Sequence, residues 1–231
     1  MKTRRVPTNN SSKSVRVLFI EARRKFKDSD INLKLLNGLK GKTISLAATI
    51  QYIGLIPKVK SYLESKGKKV IVKKGAYHQG HILGCNSSAF EKSADTLLLI
   101  TDGKFHAINN AIQLQKEVYI FTTKTLEKIE QKEIEAHNKK IQIKKIKFLA
   151  ANNIGLLVSM KHGQHQKLIH TIKEKIKKLN KQVYIFEADN INPAEFENFP
   201  QIEIWVNTSC YGLARDDSKI INLSDILEFL D

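Results

Sequence analysis

Two cysteines, Cys85 and Cys210, are the only thiols in 231 residues. Cys85 closes the run Gln79-Gly80-His81-Ile82-Leu83-Gly84-Cys85, and Cys210 closes Trp205-Val206-Asn207-Thr208-Ser209-Cys210. Each lies among glycines and small polar residues beside an apolar, strand-like run. A thiolate presented at the end of a sheet can ligate a soft metal centre. Neither cysteine has a Cys-x-x-Cys partner or a histidine at zinc-finger spacing, which argues against a zinc ribbon and against a standard redox dithiol. Read by itself, the Cys85 segment is more simply a core cysteine. Gly84 tilts that reading back towards a site, because glycine is used where a backbone must approach closely.

Three further segments could do chemistry. Asp102-Gly103-Lys104-Phe105-His106 follows the buried-looking run Thr96–Thr101, the place where open α/β sheets put functional loops. Gly103 permits a tight turn and Lys104 can hold a carboxylate or phosphate. His106 is open to three readings: proton shuttle, ligand, or first-turn helix residue. Lys161-His162-Gly163-Gln164 holds the same kind of position further on. A helix start there favours an anion, but the segment is too short for a Walker loop or a dinucleotide fingerprint. Asp216-Asp217, just past Cys210, either meets an amine or cation or caps the next segment.

The elements that must position these residues read as a repeat. One unit runs strand Thr43–Thr49, helix Ile53–Lys66, strand Lys69–Lys73, strand Thr96–Thr101. The other runs strand Ile154–Ser159, helix His165–Asn180, strand Gln182–Glu187, strand Ile202–Asn207. Each strand-to-helix turn carries a glutamine, Gln51 or Gln164, and each helix ends in a basic, turn-like tetrad. Strands alternating with helices of this length predict parallel sheets with right-handed crossovers. The expected organisation is α/β, with two duplicated Rossmann-like modules and mainly parallel sheets. A flexible basic tail is expected over 1–14, a first module over 15–145 and a second over 150–231, with the boundary near Lys144–Asn153. Val15–Glu21 reads as a buried strand, the stretch from Ile31 to Leu39 as a helical face, and Thr123–Lys145 as a charged, mostly helical surface linker.

Composition narrows the class. With 42% hydrophobic residues the chain can bury an ordinary core, and no apolar run approaches the ~18 residues that span a bilayer. The first residues lack the apolar centre of a secretory signal. A cytoplasmic address is expected, where two cysteines are reduced, ligating or buried. The net charge of +16, from 39 basic against 23 acidic residues, is compatible with nucleic acid or an acidic protein partner. Much of the lysine excess is spread along helix faces, so nucleic acid ranks as a secondary partner.

Taken in order, the segments resemble the archaeal diphthamide synthase family, the 2-(3-amino-3-carboxypropyl)histidine synthases. The resemblance is carried by Val17–Glu21 with Ile31–Leu39, by Ile44–Gln51, Gly80–Cys85, Asp102–His106, Ser159–Gln164 and Trp205–Cys210, from about residue 15 to about residue 217. It implies three related α/β domains around one [4Fe–4S] cluster, each giving one cysteine, with Cys85 and Cys210 as the ligands of the second and third domains. It further implies transfer of a 3-amino-3-carboxypropyl group from S-adenosylmethionine, by radical chemistry, to a histidine of the translocating elongation factor. Gln51, Asp102, Gly103, Lys104, His106, Lys161, Gln164 and Asp216 then become expected cofactor contacts. The departures are specific. Most of the family's first domain, with its cysteine, has no counterpart. His81 stands where the second motif carries glutamine, and Tyr211-Gly212 stand where the third carries Pro-Arg. A separate first-domain polypeptide or a homologous subunit is therefore an expected partner. The alternative is an inactive family member acting as a basic protein- or RNA-binding accessory module.

Overall fold

The computed structural model describes residues 3–6, 15–18, 20–161, 168–215 and 217–230. The chain begins with a two-stranded antiparallel ladder, β1 (Thr3–Val6) and β2 (Val15–Leu18). It continues through β3 (Thr43–Ala48), α1 (Ile56–Ser65), β4 (Lys69–Ile71), β5 (Thr96–Ile100), α2 (Phe105–Leu114), β6 (Val118–Phe121) and β7 (Leu126–Ile129). Next come α3 (Gln131–Ala150), β8 (Asn153–Ser159), α4 (Ile169–Lys177), β9 (Gln182–Ala188), β10 (Ile204–Asn207) and β11 (Ile220–Asn222). The fold is α/β: β3 pairs in parallel with β4 and β5, and β8 with β9 and β10. All five residues of β5 are buried, and the run Thr-Leu-Leu-Leu-Ile is the near-continuous apolar sequence that a parallel strand covered on both faces requires.

The two sheets share one topology. The first has the order β4-β3-β5-β6-β7 and the second the order β9-β8-β10-β11. In each, the opening strand lies between the second and third strands of its sheet, so the order reverses there, and the switch point falls between the first and third strands. The same side-chain devices recur at matching places. Asp95, just before β5, accepts the backbone N–H groups of Lys42 and Thr43 at the entry to β3, both at 2.8 Å. Glu203, just before β10, accepts those of Asn152 and Asn153 at the entry to β8. Lys68, just before β4, donates to the carbonyls of Leu39 and Gly41; Lys181, just before β9, donates to those of Leu149 and Ala151. Gly67 and Asn180 both adopt the left-handed backbone, at φ 76° and 61°, in the basic tetrads that end α1 and follow α4. Glycine and asparagine are the residues that tolerate this conformation best.

By packing, the chain divides into two units, residues 1–103 with 119–128 and residues 104–118 with 129–231. The core of the first gathers Ile44, Leu46, Leu98 and Ile100 from the sheet with Val59 and Leu63 from α1. The second gathers Leu156, Val158, Ile204 and Val206 with Ile172 and Ile176 from α4 and Phe148 from α3. A smaller aromatic cluster forms around Trp205, which stacks on Phe196 with centroids 4.2 Å apart.

Some expectations are corrected. Within the stretch read as a basic tail, Thr3–Val6 forms β1; residues 1–2 and 7–14 lie outside those described. A four-residue strand gains its ladder only by pairing with another short strand, which its basic composition does not reveal. The strand read over Val15–Glu21 stops at Leu18 in that same ladder, and Ile20 is exposed. The helical face from Ile31 to Leu39 is a 3-10 segment over Leu33–Gly38, still anchored by buried Leu36 and Leu39. The linker Thr123–Lys145 contains β7, and its helix runs on to Ala150, past the expected end of the first module at 145, and packs with the second unit.

Candidate functional site

In the first unit, Gln51 and Asp102 follow β3 and β5, the two strands at the switch point. The structure ties them together through Arg24. The Arg24 backbone N–H donates to the Gln51 carbonyl at 3.0 Å. Its guanidinium donates to the Tyr52 hydroxyl at 3.2 Å, lies 3.5 Å from the Asp102 carboxylate and sits 5.2 Å from the centre of the Phe26 ring. Tyr52 is buried, and burial together with the Asp102 carboxylate pushes its phenol up to about 12. Asp102, read from sequence as a cofactor contact, therefore already has an ionic partner. Gly103 has φ 71° with open space where a β-carbon would stand; the turn, not crowding, calls for glycine there.

Cys85 belongs to the connection between β4 and β5. Its segment is threaded alongside the end of β3: the Ala48 N–H donates to the Gly80 carbonyl at 2.8 Å, and the Ile82 N–H returns the bond to Ala48 at 3.0 Å. Gly80 has φ 69°, and a β-carbon would stand 2.4 Å from Ile56 Cδ1, so both conformation and packing demand glycine. Buried His81 and Ile82 then anchor the chain. Leu83 and Asn86 bond each other across a tight turn that holds Gly84 and Cys85 between them. The thiol is free and exposed, so the core-cysteine reading of this segment is wrong. The residues beside it, not the cysteine, supply the packing.

In the second unit, Cys210 follows β10 and is likewise free and exposed. The turn that presents it hangs on Asn207, which is 2% exposed. The Asn207 amide donates to the Cys210 carbonyl at 2.9 Å and to Asn222 Oδ1 at 2.7 Å. Its own oxygen accepts from the Ser209 N–H at 3.0 Å and the Ser209 hydroxyl at 2.8 Å. The following loop meets the first turn of α2. A β-carbon on Gly212 would stand 2.5 Å from the Phe105 ring, and Arg215 lies 5.0 Å from that ring's centre. The ring thus accounts for glycine at 212. Lys104 and His106 flank Phe105; Lys104 is exposed, and burial lowers the imidazole pKa of half-buried His106. Lys161 follows β8, exposed, its N–H bonded to the Ser159 hydroxyl. Gln164 and Asp216 lie outside the described residues.

Asp102 and Cys210 each lie in the turn after the third strand of their own module, and Gln51 and Lys161 each follow the first strand. Sequence reading paired Gln51 with Gln164, which lies outside the described residues. It also passed over Arg24, Asn207 and Asn222, although Asn207 lies inside a quoted motif and was the signal available. Among the described residues, no group of three or more His, Cys, Asp or Glu side chains is arranged to hold a metal. The soft donors are the two exposed thiols, one in each module. Among the described residues no helix is long and apolar enough to cross a membrane.

Comparison with known proteins gives the same frame. Residues 4–220 match the family model described as diphthamide synthesis protein; the chain belongs to that family. It is 28% identical over 217 residues to the 2-(3-amino-3-carboxypropyl)histidine synthase of Methanocaldococcus jannaschii, covering 88% of this chain and 57% of the relative. It is 21% identical over 222 residues to subunit 1 of the human enzyme, covering 91% and 49%. The crystal structure of Dph2 from Pyrococcus horikoshii superposes with a TM-score of 0.76 at 25% identity, covering 86% of this chain and 60% of that one. The structure of that protein with a 4Fe-4S cluster gives 0.73 at 26% identity, covering 82% and 57%. The chain spans about half the length of the curated relatives it matches.

Proposed function

We propose that this chain is a component of a diphthamide synthase in which Cys85 and Cys210 each supply one thiolate to a [4Fe–4S] cluster. The carrying observation is that each α/β module presents one free, exposed thiol from a turn fixed by buried neighbours. The donor chemistry fits: iron–sulfur clusters are held by cysteine thiolates, and both thiols are on loops whose geometry is set without them. The relative solved with a 4Fe-4S cluster supports the assignment. When bound, the cluster would supply the electron that splits S-adenosylmethionine to give a 3-amino-3-carboxypropyl radical for attack on a histidine of the translocating elongation factor.

Two thiolates do not complete the site, so the remaining ligand comes from a partner, either a separate first-domain polypeptide or a homologous subunit. Lys104, His106, Lys161, Gln164 and Asp216 remain the residues proposed to contact S-adenosylmethionine or substrate, together with Gln51 and Gly103. Asp102 is proposed to act through its pair with Arg24. The charge of +16 steers the chain towards an acidic or ribosome-associated protein in the cytoplasm, with nucleic acid as a secondary ligand. Anaerobic reconstitution with iron and sulfide tests the reading. A brown protein whose iron content falls in Cys85→Ala and Cys210→Ala is expected, with iron per chain rising when the partner is added. A colourless protein, or iron uptake indifferent to both substitutions, would refute it.

A further inference from the structure

The second unit contains a cavity of about 470 Å³ that no part of the proposed chemistry uses. It lies among α2, α3 and the turns after β10 and β11, and Tyr211, the neighbour of Cys210, forms part of its wall. Its size is in the range of sites for small organic molecules. Its charges do not suit an anion. Lys145, the one cation in the lining, is mostly buried and already bonded to Glu228 at 2.8 Å. Asp225 makes no ion pair among the described residues; its hydrogen bonds run to Asn222 and Ser224. Burial raises the Asp225 pKa, against the hydrogen bonds from Asn222 and Ser224 and the charge of Lys145. Lys145 acts on the Asp225 carboxylate only through its field, because its ammonium is bonded to Glu228. A chain of +16 thus contains a pocket whose lining carries a net negative charge.

The remaining lining sets the shape of the occupant. Ile112 and Ile141 give an apolar surface, and Gln113, Gln115, Asn138 and Gln142 give carboxamides. Gln115 and Asn138 bond each other reciprocally between α2 and α3, with Asn138 Nδ2 donating to Gln115 Oε1 at 2.8 Å. Gln115 is held there at φ 50°, a left-handed backbone that a glutamine rarely adopts. Carboxamides present a donor and an acceptor side by side and match another amide or a similar neutral polar group.

We infer that this cavity binds a small organic monocation, a primary amine on an aliphatic stem with a neutral polar end. The ammonium pairs with Asp225 beside the Tyr211 hydroxyl, the stem covers Ile112 and Ile141, and the polar end meets the carboxamides. The site stands apart from the iron–sulfur reading and does not depend on it.

The test uses the purified full chain before any iron is added, so its outcome is separate from that of cluster reconstitution. N-acetylputrescine carries one ammonium, four methylenes and one acetamide; N,N′-diacetylputrescine has the same stem and no charge. Ligand-observed NMR titration is expected to show saturable binding of the first in the millimolar range and at least tenfold weaker binding of the second. Asp225→Asn should weaken N-acetylputrescine at least tenfold. Equal binding of the two probes to the wild-type chain, or no binding of either, would overturn the inference whether or not Asp225→Asn folds. So would a folded Asp225→Asn chain that binds as wild type.

Discussion

Asn207→Ala separates the residue that builds the Cys210 turn from the thiol it presents. Asn207 is buried and makes four hydrogen bonds, two as donor and two as acceptor. A typical net contribution is about 0.5–1.5 kcal/mol per bond, and more where a buried partner is left unsatisfied. Ser209 is only half-buried, so its freed N–H and hydroxyl can turn to water, whereas Asn222 is 6% exposed and loses its donor. The expected loss is therefore about 2–4 kcal/mol rather than the full sum. For a chain of this size that lowers Tm by roughly 5–15 °C. Trp205 is the single tryptophan and is buried on β10, two residues before Asn207, so its fluorescence during unfolding reports on the second module alone. Cys210→Ala removes an exposed thiol and should shift the same transition by less than about 0.5 kcal/mol, while removing a proposed iron ligand. If Asn207→Ala unfolds together with Cys210→Ala and wild type, the turn is held by its backbone and the argument from Asn207 fails.

Three further perturbations address the packing. Lys181 is 8% exposed and its ammonium satisfies two carbonyls, so Lys181→Met should cost about 1–3 kcal/mol in tryptophan-monitored denaturation; a neutral result would show that water replaces the ammonium. The Glu203 carboxylate is held below its ordinary pKa, first by the Asn153 N–H and then by that of Asn152. Because its folded pKa is depressed, its stabilisation is complete above the unfolded value of about 4.3 and is lost as pH falls through the lower folded value. Glu203→Gln should flatten that acid-side slope in unfolding measured from pH 6 to pH 3, and an unchanged slope would count against the backbone contact. Gly212→Ala places a β-carbon 2.5 Å from the Phe105 ring and should cost about 1–3 kcal/mol; adding Phe105→Ala should recover most of the loss, and no recovery would mean the ring is not the obstacle.

The duplicated α/β plan was legible because buried parallel strands leave an unmistakable apolar signature. Thr96–Ile100 and Asn153–Ser159 can hardly be anything else, and Gly67 and Asn180 mark comparable helix ends. What stayed hidden rests on contacts distant in sequence. Pairing of β1 with β2, the reach of Arg24 to Tyr52 and Asp102, and the bond between Asn207 and Asn222 leave no local pattern. Cys85 shows the converse error. The lack of a second metal-ligand signal in its segment suggested a buried thiol, yet His81 and Ile82 take the burial and the turn lifts Cys85 into solvent.

The first and third strands pair in parallel in both sheets, and Asp102 and Cys210 each follow the third strand of their own module. The turn after the third strand thus carries an exposed thiol in one module and a carboxylate paired with Arg24 in the other. The thiol of the first module is supplied instead from the connection between β4 and β5, where Gly80 and the Ala48 ladder set the turn. Cys85 and Cys210 are therefore not copies of one ancestral ligand position within the repeat. Each is presented by its own local device, a tight turn beyond His81 and Ile82 in one case and an asparagine-held loop in the other. On this argument the two turns can be weakened independently: Asn207→Ala should loosen the Cys210 turn and leave the Cys85 turn intact.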